Sequence, residues 1–286
     1  MREALGNLGR AIMSDGESDT AAEFDLRMIE VGGQPLRVAV KRGPKGRPPF
    51  LLFNGIGANL ELAEPFLRAL KRTEAIIFDV PGVGGSPAPP YPYRLSSIAR
   101  LAAQLLTKLG HKRADIGGVS WGGGIAQQFA HQHYNMCRKL VLAATSPGAI
   151  MVPGSPRVLW KIATPRRYVD KGFMRTVAPE IYGGAFRQNP NLIEAHAGAM
   201  AGASGRGYLY QVMAMTGWTS LPWLWTLKQP ALILAGTDDP IIPLINARVM
   251  ARLMPNARLE ILDDGHLFLV TRPVESAAII EKFLAE

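Results

Sequence analysis

Gly118-Val119-Ser120-Trp121-Gly122 is the stretch from which the rest of this 286-residue chain is read. Upstream, Ala114-Asp115-Ile116-Gly117-Gly118-Val119 reads as a short buried strand, and residues 125–133 open a helical pattern, so Ser120 falls where strand becomes helix. A serine at so sharp a turn needs strained backbone angles and a close approach of helix to strand. Gly118 and Gly122 permit both, because neither carries a Cβ. The turn pushes the Ser120 hydroxyl out above the sheet, where a base can reach it.

Strand and helix alternate on either side of this turn. Residues 24–31 and 36–41 alternate around Gly32-Gly33-Gln34-Pro35, which is a hairpin signature. Short apolar runs at 50–53, 75–78, 140–143, 231–235 and 259–262 predict further strands. Helical stripes follow residue 62 and cover 95–109, a segment near 245–254 and the stretch 273–284. This is how an α/β fold is written: a mostly parallel eight-stranded sheet flanked by crossover helices. The alternation breaks over residues 146–226, where seven prolines and four of the five tryptophans occur without a strong strand. A helical lid inserted into the sheet domain is expected there. The expected organisation is a loose tail over 1–22, a first core part over 23–145, the lid over 146–226 and a second core part over 227–286.

Composition removes several classes of function. The net charge of +9 comes from dispersed Lys and Arg with no recognition motif, so no nucleic-acid partner is expected. Within 146–226, eight Lys/Arg outnumber three Asp/Glu, which reads as a solvated basic face, with attraction to an anionic surface as the alternative. The single cysteine, Cys137, allows no internal disulfide and points to a buried inert thiol in a reducing compartment. Glu3, Asp15, Glu17 and Asp19 interrupt the N-terminal segment, so neither a secretory signal nor a transmembrane segment is read and a cytoplasmic location is expected. Self-association into a homo-oligomer stays open. Gly82 and Gly84 begin a dinucleotide fingerprint, but its third glycine would fall at Pro87 and no helix starts there, so cofactor binding is not expected.

A neutral serine hydroxyl is a poor nucleophile and needs a base, held in the correct tautomer by a third group. His266, in Asp263-Asp264-Gly265-His266-Leu267, follows the strand ending at 262 and sits where an imidazole reaches back toward Ser120. His111, His131, His133 and His196 are expected at the surface or in packing. The acid is sought in Gly236-Thr237-Asp238-Asp239-Pro240, where Asp239 is preferred because Pro240 holds it extended and it lies further beyond the strand. Asp238 is expected to cap or orient the loop. The order Ser120, Asp239, His266 is the one expected of this triad on a doubly wound sheet. Oxyanion donors are expected from the main-chain N–H of Trp121 and of Ile56, the latter in Asn54-Gly55-Ile56-Gly57. Asn54, Gly55, Trp218 and Leu267 are expected to contact substrate, and the lid's tryptophans with Met151, Met174, Met200, Met213 and Met215 to form an apolar channel.

These segments resemble the α/β-hydrolases, and more narrowly the intracellular poly(3-hydroxyalkanoate) depolymerases that degrade medium-chain-length storage polyester. The resemblance is carried by Phe53-Asn54-Gly55-Ile56-Gly57-Ala58-Asn59-Leu60-Glu61-Leu62 and by residues 78–86, 118–124, 143–145, 151–154, 165–169, 181–184, 217–220, 239–246 and 263–269. It runs from about Phe24 to the C-terminus and includes the lid; the tail lies outside it. It implies Ser120 as nucleophile, Asp239 as acid and His266 as base, with no metal or organic cofactor. It further implies hydrolysis of 3-hydroxyacyl esters at the surface of cytoplasmic granules. A carboxylesterase or a carbon-carbon bond hydrolase acting on small molecules uses the same residues, and a non-catalytic granule-binding protein is the alternative of another class.

Overall fold

The computed structural model describes residues 24–286 except 45, 165, 167–169 and 200–204. The tail expected over 1–22, together with Met200 and most of the segment 165–169, lies outside the described residues. Eight strands form one sheet: β1 Phe24–Val31, β2 Gln34–Lys41, β3 Phe50–Phe53, β4 Ala75–Phe78, β5 Ala114–Val119, β6 Cys137–Ala143, β7 Ala231–Gly236 and β8 Ala257–Leu262. Their spatial order is β1-β2-β4-β3-β5-β6-β7-β8. The β1/β2 hairpin is antiparallel and joins β4 antiparallel; every pair from β4 to β8 is parallel.

Short apolar runs become strands here because both faces of the sheet are covered. Phe50-Leu51-Leu52-Phe53 and Ala75-Ile76-Ile77-Phe78 are buried throughout, as a parallel sheet sandwiched between helices requires. On one face pack α2 (Leu95–Lys108), α3 (Trp121–Gln132) and α8 (Leu244–Leu253). On the other pack α1 (Leu60–Ala69), the short α9 (Phe268–Thr271) and α10 (Pro273–Ala285). From β3 the chain steps outward to β4 and then returns across β3 to β5. The helices after β3 and β5 therefore lie on opposite faces, and the crevice left between their first turns is where a doubly wound sheet places its ligand.

Residues 146–226 are largely helical: α4 (Pro156–Ala163), α5 (Lys171–Tyr182), α6 (Pro190–Ala199), α7 (Gly205–Met215) and two 3₁₀ turns, Gly184–Arg187 and Leu221–Thr226. The segment is closed at its base by one antiparallel bridge, Gly148 with Thr219, and by the bonds Ala149 N–H to Trp218 O (2.7 Å) and Ser220 N–H to Pro147 O (2.8 Å). It has a core of its own, with Val158, Met174, Ile181 and Phe186 packed onto Leu62 and Ile241 of the sheet domain. Among the described residues, Arg157 and Lys161 are ion-paired with Glu180, Arg166 with Asp170, Arg175 with Glu194, and Arg187 with Asp238. That pattern fits the solvated basic face better than an anion-binding surface. No helix among the described residues is long and apolar enough to cross a membrane.

The end of α5 is strapped to the loops that follow β7 and β8. Tyr182 O accepts His266 N–H at 2.7 Å, and Asp264 Oδ1 accepts both Ala185 N–H (2.9 Å) and Gly265 N–H (2.7 Å). The other carboxylate oxygen of Asp264 takes the Thr271 hydroxyl at 2.5 Å and lies 3.3 Å from Arg272 Nε. Asp238 accepts Gly184 N–H at 2.7 Å and pairs bidentately with Arg187 (2.7 and 3.1 Å). The hydrogen bond from Arg187 is the main reason that the Asp238 carboxyl is held below the usual carboxylate range.

This packing sets the cost of three substitutions. A Cβ on Gly122 would lie 2.2 Å from Phe53 O, so Gly122→Ala should lower the unfolding free energy by about 1–3 kcal/mol in urea titration. Asp264 is almost fully buried, so Asp264→Ala strands interior donors and should cost about 1–3 kcal/mol. Asp238 is half exposed and its partners reach water, so Asp238→Ala should stay within about 1 kcal/mol of the parent chain. Equal losses at the two aspartates would contradict this division.

Candidate active site

Ser120 occupies the turn between β5 and α3 with φ 54° and ψ −120°, a conformation that L side chains rarely adopt. The surroundings over-determine it. Ser120 N–H donates to Ala143 O at 2.9 Å, continuing the β5/β6 ladder by one residue, and Ser120 O accepts the Thr145 hydroxyl at 2.7 Å. A Cβ on Gly118 would meet Gly122 O at 2.2 Å, and one on Gly123 would meet the Thr145 side chain at 2.3 Å. Small residues at these positions let α3 start directly under the sheet edge.

Three loops bring their side chains to this point. His266 Nε2 lies 2.9 Å from Ser120 Oγ, and His266 Nδ1 lies 2.7 Å from Asp239 Oδ2. Asp239 Oδ1 accepts the main-chain N–H groups of Ile241 and Ile242, both at 2.9 Å. The carboxylate is thus held by main-chain donors on one oxygen and by the imidazole on the other. Both side chains are almost fully buried, at 4% exposure for His266 and 1% for Asp239. Asp238, its neighbour in sequence, points the other way, to Gly184 and Arg187. The β7 and β8 loops are packed against each other: Asp238 N–H donates to Asp264 O at 3.0 Å, and a Cβ on Gly236 would strike that same oxygen.

The loop after β3 closes the other side. A Cβ on Gly55 would lie 3.8 Å from Ser120 Cβ, an ordinary contact, so this loop abuts the serine. Asn54 braces it, with Nδ2 donating to Asn59 O (2.7 Å) and Oδ1 accepting Gly55 N–H (2.9 Å). Ile56 follows in the same loop, and Trp121 opens α3, where helix N–H groups point along the axis toward Ser120.

Above Ser120 lies a mostly apolar cavity of about 100 Å³. Asn54, Gly55, Ile56, Ser120, His266 and Leu267 all line it. Its walls are otherwise aliphatic and aromatic, including Leu62, Phe66, Ile241 and Val270. From the inserted segment come Ile162, Tyr182 and His196.

Two groups expected to contact substrate lie apart from this lining. Trp218 is not among the described lining residues; its indole donates to Gln128 Oε1 at 2.8 Å and packs edge-to-face on Trp223, beside α3. The tryptophan and methionine channel is also not found among them. Trp160 and Trp225 face solvent at 81% and 61% exposure, and Met174 is buried in the inserted segment's own core. His196, expected at the surface or in packing, is buried and lines the cavity, with Nε2 3.3 Å from the Tyr182 hydroxyl and its ring against Tyr182 and Phe186. The signal for it was present: Leu192, Ile193, His196 and Ala197 share one face of α6. The remaining histidines serve elsewhere, His111 against Glu74 (3.1 Å), His131 stacked on Trp223 and His133 against the Phe129 ring. Cys137 is buried, and burial pushes its thiol pKa upward, as an inert thiol requires.

Comparison with known proteins agrees with this architecture. A model of the α/β hydrolase fold family matches residues 48–273. The chain is 52% identical over 264 residues to a poly(3-hydroxyalkanoate) depolymerase of Ectopseudomonas oleovorans, covering 92% of this chain and 93% of that protein. It is 29% identical to a pimeloyl-[acyl-carrier protein] methyl ester esterase of Aromatoleum aromaticum, over 82% of this chain and 97% of that one. The crystal structure of the enol-lactonase from Burkholderia xenovorans LB400 is similar in fold, with a TM-score of 0.77 at 24% identity over 91% of this chain and 100% of that chain. With its sheet order, its serine turn and these relatives, the chain belongs to the α/β-hydrolase family.

Proposed function

We propose that this chain is a serine hydrolase that cleaves the ester bonds of medium-chain-length poly(3-hydroxyalkanoate), with Ser120 as nucleophile, His266 as base and Asp239 as the acid that orients it. The observation that carries the proposal is the continuous contact Ser120–His266–Asp239, 2.9 and 2.7 Å, at the floor of an apolar cavity. The polymer class is that named for the depolymerase to which the chain is 52% identical, and the medium chain length follows the resemblance of the sequence.

With the Nδ1 proton directed to Asp239, Nε2 of His266 is left to accept the Ser120 proton. Ser120 Oγ attacks the ester carbonyl carbon and its proton passes to Nε2. The carbonyl oxygen becomes an oxyanion held by the N–H groups of Ile56 and Trp121. When the intermediate collapses, the ester C–O bond breaks and the imidazolium gives its proton to the departing 3-hydroxyl. A water molecule, deprotonated by His266, then cleaves the acyl-serine and releases the carboxylic acid, restoring Ser120. Asp239 keeps the imidazole oriented throughout, with one oxygen on Nδ1 and the other held by the N–H groups of Ile241 and Ile242.

Residues 146–226 act in this reading as a lid, with Tyr182, Ile162 and His196 facing the alkyl side chains of the polymer. Exposed apolar residues on it, among them Trp160, Leu209, Val212 and Met213, support contact with an insoluble polyester surface in the cytoplasm. The resemblance to esterases of small substrates keeps a carboxylesterase as the competing reading.

Product analysis separates the two. On amorphous medium-chain polyester the chain should release 3-hydroxy acids or their oligomers, and Ser120→Ala should lower that rate by at least about 10⁴-fold while its unfolding curve stays close to that of the parent. Turnover that survives in Ser120→Ala removes the mechanism, and hydrolysis confined to short nitrophenyl esters favours the carboxylesterase.

A further inference from the structure

One residue of α7 touches both halves of the serine site from above. Gly57 N–H donates to Gln211 Oε1 at 2.8 Å, and the indole N–H of Trp121 donates to the main-chain oxygen of Gln211 at 3.0 Å. Gln211 is fully buried, in a stripe with Gly207, Tyr208, Tyr210 and Ala214. Its Nε2 has no hydrogen-bond partner among the described residues. A buried amide with an unanswered NH₂ is a poor choice for packing, since methionine fills similar space without a desolvated donor. What glutamine supplies there, and an apolar residue does not, is an acceptor for Gly57.

The value of that acceptor lies in the peptide it holds. Gly57 sits at φ 69°, and its N–H belongs to the peptide plane directly after Ile56. Anchoring this plane restricts rotation about the Ile56 Cα–C bond, so the Ile56 N–H one plane earlier keeps its aim. The bond to the Trp121 ring holds the side chain of the residue whose own N–H is the second donor. We infer that Gln211 is a positioning residue, which holds the Ile56 and Trp121 N–H groups on the oxyanion formed when Ser120 attacks. The inference rests on the serine-hydrolase reading and adds to it that the inserted segment completes the oxyanion hole. α7 therefore has two faces with different work: Gln211 inward, and Leu209, Val212 and Met213 exposed outward.

The test compares Gln211→Met and Gln211→Glu with the parent chain and with Ser120→Ala on a soluble nitrophenyl ester of a medium-chain acid. Loss of an oxyanion donor lowers kcat by about 10²–10³, and a donor left in place but loosely aimed should cost about 10-fold or more. Gln211→Met is therefore expected to lower kcat by that factor with KM nearly unchanged, and to weaken inhibition by an alkyl trifluoromethyl ketone, which forms a tetrahedral adduct, by the same factor. Gln211→Glu, which keeps an acceptor, should recover most of kcat. Unchanged kcat in Gln211→Met, or an equal loss in both variants, overturns the inference. Should Gln211→Met fail to fold, hydrogen exchange at the Gly57 amide of the parent chain decides: protection supports the bond to Gln211, and exchange as fast as an open loop overturns it. A parent chain with no turnover, or Ser120→Ala with full turnover, removes the serine-hydrolase reading instead, so the two failures are told apart.

Discussion

The close approach of backbone to backbone at the β5–α3 turn is the constraint on which the site depends. Ser120 is held at positive φ because the ladder with β6 runs one residue past β5 and the helix begins at once. Gly118, Gly122 and Gly123 make room for it, each at a distance where a Cβ would overlap a neighbouring atom. A left-handed residue with a side chain is costly, on the order of 1–3 kcal/mol, and the buried sheet around it supplies the compensation. That strain keeps the hydroxyl above the sheet, between the β3 loop and the histidine loop.

Among the places where the inserted segment is fastened to the sheet domain, two serve different parts of the site. Tyr182, Gly184, Ala185 and Arg187 hold the loops that carry Asp239 and His266, mainly through main-chain groups. Gln211 holds the loop after β3 and the first residue of α3. Between these attachments lies the roof of the cavity, with Ile162, Tyr182 and His196. Both fastenings include buried polar groups whose partners come from the other part of the chain. Such groups lose their partners if the segment lifts away as a whole, which makes that movement costly.

Much of this architecture was legible because parallel strands covered on both faces are nearly pure apolar runs. Phe50-Leu51-Leu52-Phe53 and Ala231-Leu232-Ile233-Leu234-Ala235 are too short for helices and too apolar for loops, so their assignment needed no tertiary information. Polar residues just past strand ends then marked the rim, where His266 reaches Ser120 and Asp239 reaches His266. The inserted segment was harder to read for a physical reason. Its helices divide their apolar faces between a private core and the cavity, and residue type alone does not say which face is which. Tryptophans signal burial in general, yet Trp218 and Trp223 pack beside α3, and Trp160 faces solvent. Tyr182 reaches the cavity from the last residue of α5 and His196 from the last turn of α6, where apolar neighbours hide them in the pattern. Gln211 meets Gly57 across 154 positions, a separation at which no local spacing rule operates.

The most direct test of the site is covalent. Incubation with an alkyl fluorophosphonate, followed by digestion and peptide mass analysis, should give one adduct, on the peptide that carries Ser120, and His266→Ala should slow its formation by orders of magnitude. An unlabelled Ser120, or an adduct formed equally fast without the His266 imidazole, would contradict an activated serine at this turn.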